Sequence, residues 1–372
     1  MTKKNILFIA GLILLSGCGT SDNSTEPSEE FNVSVSDEVF ENNAQQEEIN
    51  PEDYTRFTRT TLDLMDTVTD FISFNRNEEE FEQFFTIVYD EMIRLHQIFN
   101  TFDAFEGVNN LHTVNEMAGI EPVEVDPLVI DLINRSLEAY EWSNGAVNIA
   151  LGPVIELWHN ARYGDDFVLP TTEELEYANQ FTNIHDIVID EDNNTLFLPH
   201  KGMALDVGAL AKGMTVELAT QAAVDAGFDH FLISAGGDIQ MVGSNLNNDA
   251  GTWASGITNP EDPNGNSFID IIRVPAGSVV TSGDYQRFFY VDGVRYHHII
   301  DPVTLFPATH YRSLTIIHDS ATMADTLATA LFILPLEEAK EIAHKMGAEA
   351  LWVLTDGTLA FTDGYPRFSD TF

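Results

Sequence analysis

Positive charge is scarce in this chain. Seventeen Lys and Arg stand against 60 Asp and Glu across 372 residues, a formal net charge of −43. Nucleic-acid binding relies on clustered cations that displace counterions from phosphates, so that class of partner is excluded. Cysteine is scarcer still: Cys18 is the only one, and no disulfide can form within the chain. After residue 15 no apolar run approaches the roughly 20 residues of a membrane-spanning helix. No internal repeat is present. The shortage of cations sets a problem, because such a protein repels anionic ligands unless a metal ion intervenes.

The N-terminus has the layout of an export signal. Lys3 and Lys4 precede an apolar run from Ile6 to Leu15 that is too short to span a bilayer, and small residues follow. Leu15-Ser16-Gly17-Cys18 reads as a bacterial lipobox, with residues 1–17 removed and the Cys18 thiol free to carry a lipid. Residues 18–54 are rich in Ser, Asn, Asp and Glu with no Lys or Arg. A segment of one charge sign and little apolar content cannot offset its chain entropy, so a disordered tether is expected. Residues 55–372 have ordinary globular composition, enough for one large domain or two intimate lobes.

In that body, residues 78–97 and 126–142 carry apolar residues at helical spacing. A helix is expected from Asp206 to Ala226, closed by Gly227. Runs rich in β-branched and aromatic residues predict strands at Phe231–Ser234, Gln240–Gly243, Ile269–Val274, Phe288–Val291 and Leu314–His318. Helices are expected at Ser320–Leu334 and Leu336–Met346, and a last hairpin at Ala350–Leu354 and Leu359–Thr362. The fold class is α+β, with largely antiparallel sheet and packed helices, because strands and helices do not alternate regularly.

Several segments carry chemistry. Asp206-Val207-Gly208-Ala209-Leu210-Ala211-Lys212-Gly213 places an acidic residue, two glycines and a lysine around a predicted helix start. It reads either as an ordinary N-cap or as an anion site. Asp325 and Thr329 lie four apart on a predicted helix and share a face. A carboxylate and a hydroxyl one turn apart suit Mg2+, although capping and back-bonding to the helix would account for them equally. His297-His298 ends a strand-like run before Asp301-Pro302; a histidine there is either structural or a general base. Ser234-Ala235-Gly236-Gly237-Asp238 is a strand-to-loop glycine pair where a ligand could approach the backbone.

In this order the blocks closely resemble the ApbE-type family of FAD:protein FMN transferases, from about Thr61 to Leu334. The matching stretches are Met65-Asp66-Thr67, Gly152-Pro153 with Leu157-Trp158, Asp206–Gly213, Ala235–Asp238 and Trp253–Pro260. Thr281–Tyr285, His298–Pro302, Ala324-Asp325 and Leu327–Ala330 complete the series. The resemblance implies an ApbE-like (T-fold-like) architecture. It implies that Asp206 and Lys212 contact FAD, and that Met65, Ala146, Val147, Asn148 and Ile300 line the flavin nucleotide. Phe102 matches an aromatic that stacks on the isoalloxazine ring. Ala209, through its carbonyl, and the Asp325 and Thr329 side chains match the Mg2+ ligands, and His298 matches the catalytic base. Three residues depart from the family pattern: Asp66 replaces a glycine, Thr322 an acidic metal ligand of some members, and Asn148 an aspartate.

The implied reaction moves FMN from FAD to a Thr or Ser of an extracytoplasmic acceptor protein, with AMP released. The lipobox adds an expected membrane attachment through Cys18. Two alternatives share the same residues: hydrolysis of FAD to FMN and AMP, and a flavin-binding lipoprotein without catalysis.

Overall fold

The computed structural model describes residues 50–65, 67–164, 167–262 and 267–372, with only the backbone at residue 63. The expected signal segment, Cys18, the tether to residue 49, and Asp66 therefore lie outside the described residues. The described body includes residues just before residue 55. Pro51–Asp53 form a 3-10 turn, and the Arg76 guanidinium lies over the Tyr54 ring, 5.9 Å from its centre.

The chain enters a long hairpin, β1 (Thr55–Leu64) and β2 (Thr67–Asn75), then helix α1 (Glu78–Ile98). A mostly helical segment follows: α2 (Leu111–Glu116), β3 (Val123–Glu124), α3 (Pro127–Trp142), α4 (Gly152–Tyr163) and α5 (Thr172–Ala178), closed by β4 (Val188–Asp190) and β5 (Thr195–Phe197). Next come α6 (Ala211–Asp225), β6 (Phe231–Ala235), β7 (Asp238–Val242), β8 (Trp253–Thr258), β9 (Phe268–Val274) and β10 (Gly277–Gly283). The last part holds β11 (Phe288–Val291), β12 (Val294–His297), β13 (Tyr311–His318), α7 (Ala321–Ile333), α8 (Leu336–Lys345), β14 (Glu349–Leu354) and β15 (Leu359–Phe361).

Eight strands make the central sheet in the order β1-β2-β6-β7-β10-β13-β14-β15. Every neighbouring pair is antiparallel. The two faces follow from the period of two along a strand. On β2, Phe71 joins a cluster with Phe84 of α1 and Val216 of α6. Phe74, three residues on, points the other way and packs with Trp253 and Ile272 of the β8–β9 hairpin. Helices therefore cover one face and a hairpin covers the other.

Helix α7 is the most enclosed element. Twelve of its thirteen residues are buried, the polar Thr322, Asp325, Thr326 and Thr329 among them. It packs against α6 and against β10 and β13. The helix expected from Ser320 begins with Ser320 as its N-cap, whose hydroxyl accepts from Met323 N at 3.1 Å. The helices at 78–97 and 126–142 also form as expected, as does the terminal hairpin. The long β1–β2 hairpin was not foreseen, since its polar Thr and Arg residues mask the strand pattern.

The helix expected from Asp206 starts later. Leu210 holds the N-cap position and makes no side-chain cap. Residues 206–210 instead form turns, with Gly208 N donating to Asp206 Oδ1 at 3.0 Å and Leu210 N to Val207 O at 3.0 Å. The missing cap comes from another helix: Gly213 N, in the first turn of α6, donates to Asp325 Oδ2 of α7 at 2.8 Å. Gly213 also lets the two helices touch. A Cβ built there would meet Ala321 O at 2.4 Å and Asp325 Cβ at 2.7 Å. Gly213→Ala is expected to destabilise the fold by about 1–3 kcal/mol through overpacking. Urea unfolding measures this, and an unchanged midpoint would contradict the packing account.

Candidate functional site

Where α6, α7 and the β6–β7 turn converge, a polar cavity of about 500 Å3 opens. Lys212, Asp238, His298, Asp325 and Thr329 line it, with Ser282 and Tyr285. Gly208, Lys212 and Arg287 also line an adjoining pocket whose wall includes Met65, Phe99, Phe102, Asp206 and Val207. One continuous cleft thus has an apolar end and a polar end.

Local sequence sets each contributor. Met65 sits in the tight β1–β2 connection at φ 51°. Phe102 is presented by a turn in which the Asn100 side chain accepts from Phe102 N at 2.7 Å and Asp103 N at 2.8 Å. The Phe102 ring stacks beside His159, with centres 6.2 Å apart. Lys212 lies in the first turn of α6, where backbone N–H groups and the helix dipole favour anions.

The charges at the polar end are tightly coupled. The Lys212 ammonium pairs with Asp238 and lies 3.8 Å from Asp325 Oδ1. Burial pulls the Lys212 pKa down, but the carboxylates of Asp238 and Asp325 outweigh it, and the group stays above the usual lysine value. Burial and then the neighbouring Asp238 push Asp325 well above the usual carboxylate range, against the pull of Lys212 and the Gly213 N–H. Thr329 Oγ1 donates to Asp325 O at 3.1 Å, so the back-bond to its own helix exists alongside its place on the cavity wall.

The paired histidines separate in role. His297 is buried, with Nε2 2.7 Å from Ala308 O and Nδ1 accepting from Ile299 N at 3.2 Å. Both ring nitrogens serve the fold. His298 faces the cavity, and its Nδ1 has no hydrogen-bond partner. Burial, then the positive charges of Arg287 and Arg162, hold its pKa well below the usual imidazole value. The ring is therefore neutral near pH 7 and able to accept a proton.

Met65, Phe102, Asp206, Lys212, His298, Asp325 and Thr329 are brought together along the cleft. Ala146, Val147, Ala209 and Ile300 are fully buried and absent from the walls of both its compartments. Asn148 turns elsewhere: it donates to Thr182 O at 2.8 Å and accepts from Ala150 N at 2.9 Å. Thr322 is buried with Oγ1 unpartnered, while its N–H donates to Glu217 Oε2 at 3.0 Å. Two contributors escaped the sequence reading. Arg287 joins the two compartments, and its rarity in so acidic a chain was the available signal. Asp238 was visible only as the end of a glycine turn, and its ion pair with Lys212 is a product of folding.

Sheet, helices and cleft together define an α+β protein built around an anion-ready site. The chain belongs to the ApbE family, whose profile matches residues 59–352. It is 36% identical over 260 residues to the FAD:protein FMN transferase of Treponema pallidum (strain Nichols), covering 66% of this chain and 71% of that protein. The FAD:protein FMN transferase of Vibrio cholerae serotype O1 is 28% identical over 279 residues, covering 74% of this chain and 80% of that protein. Among solved structures, the ApbE protein of Thermotoga maritima superposes with a TM-score of 0.74 at 29% identity, over 85% of this chain and 99% of that one.

Asp206 provides a test of the cleft's electrostatics. Burial pushes its carboxyl up to about 7, against the Gly208 N–H and Arg287. A folded-state pKa above the unfolded one contributes stability that is complete below about pH 4 and is lost as pH rises through about 7. Asp206→Asn removes that loss. Between pH 4 and 8 the variant is expected to gain on the wild type by as much as about 4 kcal/mol. Denaturant titrations across that range check it; parallel stability profiles for the two proteins would rule it out.

Proposed function

We propose that the chain is an FAD:protein FMN transferase that works with Mg2+ on hydroxyl-bearing acceptor proteins outside the cytoplasm. Transferase activity on FAD is what its curated relatives are named for. The observation that carries the reading is the cleft itself. An apolar end with Met65 and Phe102 suits a flat flavin ring, and the polar end with Lys212, His298, Asp325 and Thr329 suits the pyrophosphate.

In the proposed reaction a Thr or Ser hydroxyl of the acceptor attacks the FMN-side phosphorus of FAD. A new P–O bond forms to the acceptor, the pyrophosphate P–O bond breaks, and AMP leaves. His298 takes the hydroxyl proton, which its neutral imidazole permits. Lys212 and the N-terminus of α6 hold the pyrophosphate oxygens. Phe102 stacks on the flavin ring.

The residues present fit a divalent cation. Asp325 and Thr329 offer hard oxygen donors on one face of α7 at the cavity wall; Ala209, whose carbonyl the resemblance implies as a further donor, is buried behind the cleft walls. No cluster of three or more His, Cys, Asp or Glu suited to a metal occurs among the described residues. Mg2+ needs few protein carboxylates, because water and substrate phosphate complete its shell. Bound there, the cation would neutralise charge developing on the phosphates and offset the acidic field of the protein.

Incubation with FAD and Mg2+, with and without an acceptor, separates the readings. AMP released together with labelled acceptor supports transfer, AMP regardless of acceptor supports hydrolysis, and bound FAD without AMP supports a binding protein. In the same assay His298→Asn is expected to slow transfer about 100-fold or more while FAD binding is nearly retained. The wild-type acid limb should fall below pH 6.5, the ordinary imidazole value. His297→Ala should lower thermal stability and leave the chemistry of the folded enzyme largely intact. A dead His297 variant beside an active His298 variant would reverse the assignment.

The same proposal attaches the protein to the extracytoplasmic side of a bacterial membrane by a lipid on Cys18. Cys18→Ala should move the protein from the membrane to the soluble fraction with FAD turnover unchanged. Retention of that variant in the membrane would refute the anchor.

A further inference from the structure

Two carboxylates of unequal standing hold Lys212. Its ammonium makes the closer contact with Asp238, and the distance to Asp325 Oδ1 is 3.8 Å. Asp238 is only 1% exposed. Its position is set by the sheet. Gly236 and Gly237, at φ 60° and 101°, form the two-residue turn that pairs Ala235 with Asp238, and Val280 of β10 pairs with Asp238 on the other side. The turn is seated tightly, since a Cβ on Gly236 would lie 2.2 Å from Thr67 Oγ1. Asp325, in contrast, belongs to α7 and also accepts from Gly213 N at 2.8 Å.

We infer that Asp238 is a positioning residue: it draws Lys212 away from Asp325 and so keeps Asp325 open to a divalent cation. The inference rests on the metal-dependent reading above. With Asp238 in place, two carboxylates face one ammonium, and the site retains attraction for a second cation. Without Asp238, Lys212 and Asp325 would close into a private buried ion pair. A metal ion could then reach Asp325 only by breaking that pair, which strands an uncompensated charge in the interior. The arrangement also keeps Lys212 at the α6 N-terminus, facing the cavity where a phosphate group would arrive.

The test uses Mn2+ as probe, titrated into the full chain by electron paramagnetic resonance without nucleotide, together with a crystal structure of Asp238→Asn. Asp238→Asn is expected to weaken Mn2+ binding by about 10- to 100-fold, with the Lys212 ammonium moved onto Asp325 in the crystal. Asp238→Glu should bind within a few-fold of wild type. Adding Lys212→Met to Asp238→Asn should restore Mn2+ binding without restoring FMN transfer. Lys212→Met alone should bind Mn2+ at least as tightly as wild type, an outcome that does not depend on Asp238→Asn folding. Wild-type Mn2+ affinity in Asp238→Asn, a Lys212 that stays away from Asp325 there, or weaker binding in Lys212→Met overturns the inference and leaves the transferase reading standing. If the wild type itself binds no Mn2+, the metal-dependent reading fails and the inference fails with it.

Discussion

The contact between Asp325 and the start of α6 organises both the fold and the cleft. Helix α6 begins without a cap of its own, so one of its unpaired N–H groups depends on a carboxylate carried by α7. Gly213 makes that dependence possible, because any side chain there would push the helices apart. A helix N-terminus is a positive end, and a buried carboxylate beside it is favoured. The bond that docks α6 on α7 therefore also places a lysine, a carboxylate and a hydroxyl around one cavity.

Burial raises the cost of every charge in that cavity. Asp238 and Asp325 are buried and Lys212 is only partly exposed at the cavity wall, so water screens the group weakly and each charge is held by the others. Such an arrangement is a poor source of net stability, since an apolar trio of similar volume would pack at lower cost. Its retention in the interior accords with the proposed role in meeting phosphate and metal charge. The surrounding sheet supplies the rigidity: Asp238 is locked by backbone pairing on both sides, so the geometry does not relax around the charges.

The acidity of the chain fits the same picture. An overall charge of −43 opposes the approach of a dinucleotide, and the cleft counters it locally with Lys212, Arg287 and the N-terminus of α6. Burial, then Arg287 and Arg162, also keep the nearby imidazole uncharged. Two of the seventeen Lys and Arg residues, Lys212 and Arg287, thus line the cleft.

Much of this was legible in the amino-acid order alone. Helical spacing located α1, α3, α7 and α8, and the order of short motifs pointed to the family and to Lys212, His298, Asp325 and Thr329. Local periodicity suffices where one face of an element is apolar, as in α1. The start of α6 was misplaced because its cap lies 112 residues away in sequence. The family resemblance singled out His298 rather than His297, but the depression of its pKa by burial and then by Arg287 and Arg162 was not legible, since those surroundings form only on folding. The placement of Asn148, Ala146, Val147 and Ile300 away from the cleft walls was equally invisible, because a motif records residue type and spacing but not which side of a packed layer a side chain takes. Local order determined the elements and the candidate chemistry; long-range packing and the low dielectric of the interior decided the partners, the charges and Asp238.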